Sequence, residues 1–197
     1  MFRFFKSKKK VSFHEQLFEL QKIGIELNPI LNKELILAEY SNEEFEKEPY
    51  LLLLIALGSE LELNGNYINC SNEIWYLDTE CIEDTGDYVL IAERIKDLSK
   101  NYLDLKNIKD FVDIENQVAS ISFTLDERDY CWKLEVNDDW IDEKIIVMFN
   151  DLLEIKNTDK RVYILDLGGQ DCLVGIFSRA QVKQLNNLLN KYKFVSL

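Results

Sequence analysis

Val118-Ala119-Ser120-Ile121-Ser122-Phe123-Thr124-Leu125-Asp126-Glu127-Arg128-Asp129-Tyr130-Cys131-Trp132-Lys133-Leu134-Glu135-Val136 alternates twice. First Ile121, Phe123 and Leu125 alternate with Ser120, Ser122 and Thr124; then Trp132, Leu134 and Val136 alternate with Lys133 and Glu135. A period of two sends successive side chains to opposite faces of a strand, so the stretch predicts an antiparallel hairpin with one apolar face. Its tip falls at Asp126 to Asp129, and a preceding strand is expected around Phe111 to Glu115.

Beyond the hairpin the period changes. Ile141, Ile145, Met148, Phe149 and Leu152 recur at helical spacing, entered through Asn137, Asp138 and Asp139. Arg161 to Leu167 and Asp171 to Phe177 are again strand-like, and Gly168-Gly169 between them supplies the positive φ of a tight two-residue turn. That register sets Asp166 opposite Asp171, an unfavourable pairing of like charges that leaves the register open. Ser178 with Gln181 opens a last helix, whose face is Leu185, Leu188, Leu189 and Tyr192.

Towards the N-terminus, Ser12 with Glu15 forms a capping box ahead of a helix at 12–23, and Ser41 with Glu44 forms another. Pro49 to Leu57 reads as a short helix buried all round, begun by the proline and stopped by a left-handed Gly58. Ile74 to Leu77 favour a strand, and Tyr88, Ile91, Ile95 and Leu98 a helix capped by Asp84 or Asp87.

The elements together define an α+β protein, with an antiparallel or mixed sheet built from two hairpins plus one further strand, covered by helices, and a helical N-terminal third. The expected organisation is a flexible basic tail at 1–10 and a single α+β domain at 11–197. Within that domain lie a helical subregion, 11–63, and a sheet-containing region, 66–197.

Of the net charge of −13, the first ten residues contribute +5, leaving −18 on the remainder. Phosphate repulsion makes such a body a poor nucleic-acid binder, while a basic protein partner suits it. Solubility alone is the plainer reading of the same charge. Met1 to Phe13 has the positive flank of a signal peptide without the apolar stretch behind it. The longest apolar run, Leu51 to Leu57, is seven residues, against the roughly 20 of a membrane-crossing helix. A cytoplasmic protein with no integral membrane segment is expected. Cys70, Cys81, Cys131 and Cys172 form no C-x-x-C pair and are expected as free, buried thiols.

Chemistry-bearing motifs are sparse. His14 is the sole histidine and sits in the first turn of a capped helix, where a surface role is expected; no catalytic residue and no cofactor is assigned. The sharpest feature is a pair of acidic segments, one carrying Asp78, Glu80, Glu83, Asp84 and Asp87, the other Asp138, Asp139, Trp140 and Asp142. Each joins a strand to a helix, and if those strands are neighbours the loops emerge together with Trp140 beside them. Three readings stay open. The carboxylates cap helices; or they form a rim that steers a basic partner onto a Trp140 anchor; or Asp78, Glu80, Asp138 and Asp139 hold Mg²⁺ or Ca²⁺ for a metal-dependent enzyme. A regulatory or scaffold role, with the basic tail docking on a membrane, is a further alternative.

The residues Trp75 to Val89 and Glu135 to Asp142 resemble segments of a family of uncharacterised bacterial proteins of similar length. In its small, acidic α+β character the chain is also similar to the immunity proteins of bacterial toxin systems, which neutralise basic nuclease or pore-forming toxin domains by binding them. That resemblance implies a non-enzymatic binding protein and transfers no individual residue.

Overall fold

The computed structural model describes residues 10–196; the basic tail lies outside them apart from Lys10, which pairs with Glu46 at 2.7 Å. In chain order the elements are α1 (Phe13–Ile23), α2 (Lys33–Glu39), α3 (Asn42–Lys47), α4 (Leu51–Gly58), β1 (Glu60–Leu63), β2 (Asn66–Asn69), β3 (Ile74–Asp78) and α5 (Asp87–Ser99). There follow β4 (Lys106–Asp113), β5 (Val118–Leu125), β6 (Arg128–Leu134), α6 (Lys144–Ile155), β7 (Lys160–Gly168), β8 (Asp171–Ser178), α7 (Arg179–Leu188) and β9 (Val195–Ser196). The class is α+β, with a helical region before the first strands.

The expected single sheet is three antiparallel sheets: β1-β2, β3-β8-β7-β9 and β4-β5-β6. The two predicted hairpins therefore part company, and their side-chain patterns explain why. β5 alternates, burying Ala119, Ile121, Phe123 and Leu125 on one face only. By contrast β8 is buried from Cys172 through Phe177 without a break, and so needs cover on both faces. Cys172, Val174 and Ile176 join a core with α5, α6 and the β4–β6 sheet. On the other face Leu173 and Phe177 join a core with α1, α3, α4 and α7. β3 and β7 alternate in step, Trp75, Leu77 and Val162 to the first core and Ile74, Tyr163 and Leu165 to the second. Gly175 lies opposite Ile74 and Tyr163, and a methyl there would overlap the Phe177 ring.

All three capping boxes form, at Ser12, Ser41 and Ser178. The turns depart from expectation. Leu125 pairs with Arg128, so the first hairpin closes on Asp126 and Glu127 alone, at φ 50° and 62°. In the second, Gly168 pairs with Asp171 and the register slips between Asp166 and Gly168, placing Asp166 opposite Cys172. That irregularity separates the two carboxylates; Asp171 instead faces Asp78 across β3. α4 begins at Leu51 rather than Pro49 and includes Gly58, which is not left-handed. A Cβ on Gly58 would lie 2.7 Å from the Tyr76 main-chain nitrogen, so the glycine allows close helix-to-strand packing.

Entry into α4 needs a second device. Tyr50 sits at φ 70°, unusual for a non-glycine residue, and its N–H donates to the side-chain oxygen of Gln16 at 2.7 Å. The Gln16 amide donates in turn to the carbonyls of Val11, 2.7 Å, and Phe45, 2.9 Å. With no exposure at all, Gln16 thus satisfies three main-chain groups from one side chain. Gln16→Leu is expected to cost about 2–4 kcal/mol by stranding those groups, read as a lower urea midpoint at unchanged slope.

Candidate functional site

Although β3 and β6 belong to different sheets, the acidic segments that follow them meet. The chain after β6 runs back to the end of β3, where Glu80 and Trp140 form an antiparallel bridge. Ile82 N–H donates to the Asp139 carbonyl at 2.9 Å, and Ile141 N–H to the Thr79 carbonyl at 2.8 Å. The loops are joined by main-chain hydrogen bonds rather than by strand adjacency.

Their carboxylates divide into two sets. Asp87 accepts from the N–H groups of Glu83 and Asp84 at 2.7 and 2.8 Å, fixing the turn before α5. Asp142 accepts from Glu135 N–H at 2.8 Å and Lys144 N–H at 3.1 Å, while its own N–H donates to the Tyr88 hydroxyl at 3.0 Å. Asp78 accepts from Glu80 N–H, 2.9 Å, and from the Gln170 side-chain amide, 3.2 Å. Asp84 accepts from Thr85 N–H at 2.6 Å. These four maintain the loops. Among the described residues Glu80, Glu83, Asp138 and Asp139 form no side-chain hydrogen bond or ion pair, and all but the half-buried Asp139 are exposed.

The expected cap of α5 by Asp84 or Asp87 is not made; the N-cap is Gly86, which has no side chain to offer. Asp110 on β4 does the work from across the fold, accepting from Gly86 N–H at 2.8 Å and Tyr88 N–H at 3.0 Å. Its signal in the sequence was only an acid within a strand. Asp110→Ala is expected to cost about 1–2 kcal/mol and to loosen the 83–88 turn, seen as faster amide exchange there.

Trp140 is half-buried and lines a cavity of about 290 Å³ together with Ile141, Glu143, Ile164 and Asp171. A second, larger cleft of about 470 Å³ lies between β3 and α5, with Asp78 and Asp87 on its walls. The Asp171 carboxylate beside Tyr76 on β3, together with burial and the nearby Asp78 charge, pushes the phenol up to about 12.

Among the described residues no group of three or more His, Cys, Asp or Glu side chains is arranged to hold a metal ion, so Asp78, Glu80, Asp138 and Asp139 do not converge as a ligand set. His14 is exposed, with Lys33 at 3.0 Å from its ring. All four cysteines are free; Cys70 and Cys172 are buried, Cys81 is half-buried and Cys131, against expectation, is exposed. Burial first, and nearby carboxylates second, push the Cys70 and Cys81 thiols up to about 11 and Cys172 to about 12. A raised thiol stays protonated and poorly nucleophilic at neutral pH. At pH 8 a disulfide reagent is expected to label Cys131 quickly, and the other three only when urea unfolds the chain; fast labelling of Cys81 in the folded protein would contradict this environment.

Among the described residues no helix is long and apolar enough to cross a membrane. Comparison with protein-family models, with curated proteins and with solved structures finds no match to this chain.

Proposed function

We propose that this chain is a non-enzymatic binding protein of the immunity type, which neutralises a basic toxin or partner domain through an acidic surface. The observation that supports the reading is the main-chain bridge between the two acidic loops, which joins the segment carrying Glu80 and Glu83 to that carrying Asp138, Asp139 and the half-buried Trp140. Carboxylates not engaged by the fold are available to steer a cationic partner, and an indole at the margin of a cavity suits an anchor. The net charge of −13 extends the same attraction beyond contact distance. Four free cysteines fit a reducing, cytoplasmic setting.

Capture with the full chain from its native organism, or co-expression with a toxin encoded beside it, tests the reading. A stoichiometric basic partner is expected, released as salt rises, with Trp140→Ala weakening binding by about thirtyfold or more, the loss of an interface anchor worth about 2 kcal/mol. No partner at low salt, or one indifferent to both salt and Trp140, would overturn it.

A further inference from the structure

The cleft beside β3 lies next to an unpaired sheet edge. Among the described residues β3 is the outer strand of its sheet and pairs with β8 alone. The direction of its main-chain groups follows from two contacts. Thr79 N–H donates to the Gln170 carbonyl at 2.9 Å, on the β8 side, whereas the Ile74 carbonyl accepts from Arg94 Nη2 at 2.8 Å, on the other side. Because alternate residues of a strand bond to opposite neighbours, Trp75 and Leu77 serve β8, and Tyr76 and Asp78 turn their main-chain groups to the open edge. Folded proteins usually cover such an edge or guard it with charge.

Arg94, one wall of this cleft, is only 7% exposed. Its Nη2 serves the carbonyls of Ser71 and Ile74, both at 2.8 Å, yet among the described residues Nε and Nη1 have no acceptor, and Asn69 Oδ1, from another lining residue, has no donor. Among the described residues no carboxylate pairs with this guanidinium, although Glu60, Asp78, Asp87, Glu93 and Asp97 all line the cleft. Buried donors and acceptors left unmatched inside one cleft match the main-chain groups of an incoming peptide, which brings both. Five carboxylates against one arginine select a cationic occupant, and Leu90, 65% exposed on the helix wall, offers it an apolar contact.

We infer that the β3–α5 cleft is a docking groove for an extended, lysine- or arginine-rich segment of a partner protein, which adds to the sheet as a strand along Tyr76 and Asp78. The segment's side chains meet Glu60, Glu93 and Asp97 while its main chain meets the strand edge, the arrangement of strand addition to an open sheet. The cleft's volume of about 470 Å³ is of the size that holds a few residues of a ligand. This inference deepens the reading of the chain as a binder of basic proteins and rests on it, but places the contact beside the Trp140 rim rather than on it.

The probe is a capped hexapeptide of alternating lysine and valine, titrated into the ¹⁵N-labelled full chain at low salt, beside an analogue N-methylated at alternate amides. The unmodified peptide is expected to shift the amides of Tyr76, Asp78 and the exposed face of α5. The N-methylated analogue, equal in charge but unable to form strand hydrogen bonds, should bind about tenfold or more weakly. Glu93→Gln with Asp97→Asn, or Leu90→Lys, all at exposed positions, should weaken the peptide similarly while leaving the melting temperature within a few degrees, and Trp140→Ala should leave it unchanged. Equal binding of both peptides, or shifts confined to the loops around Trp140, would overturn the groove. A native partner held in a Trp140-dependent manner by a chain whose β3 amides do not move would overturn the groove alone and leave the rim standing.

Discussion

Burial of β8 on both faces is the constraint from which the rest of the architecture follows. Six consecutive residues, Cys172 to Phe177, are withdrawn from water, so helices and sheet must be supplied on either side. The chain meets that demand from distant parts of itself. α1, α3 and α4 come from its beginning and α7 from its end to close one core, while α5, α6 and the β4–β6 sheet close the other. Flanked by β3 and β7, β8 thereby becomes a wall shared by two hydrophobic cores. Gly175 is part of the same solution, since the ring of Phe177 occupies the space a side chain there would need.

The acidic loops illustrate how one composition serves two ends. Asp78, Asp84, Asp87 and Asp142 are consumed in holding main-chain N–H groups, which is what short acidic side chains do well near turns and helix starts. Their like charges are tolerated because each is stabilised locally by donors. Glu80, Glu83, Asp138 and Asp139 receive no such donors among the described residues. Trp140 lies where the two segments of this loop pair touch.

What was legible in the sequence was local. Alternation in 118–136, the helical stripe after Ile141 and the three serine capping boxes each depend on neighbours within a few residues, and each formed. The short helix α2, capped by Asn32, went unread, as did the β1–β2 hairpin around Asn64-Gly65, where two consecutive positive φ values suit that dipeptide. The division into separate sheets was written in the contrast between a hairpin with a serine and threonine face and a strand apolar on both sides, but only if the two were compared. Asp110 and Arg94 were harder. The first reaches α5 from a strand more than twenty residues later, and the second stands at the spacing of the buried stripe of α5, between Ile91 and Leu98, where an arginine is noticeable only once burial is suspected. Both act through tertiary proximity that no local pattern encodes.

The buried amide of Gln16 ties the segment before α1, the end of α3 and the approach to α4 to a single side chain. Helices fastened in this way cannot fray one at a time, because freeing any of them strands hydrogen-bonding groups on the others. Local opening at α1, at the end of α3 and at the start of α4 is therefore coupled through this one side chain.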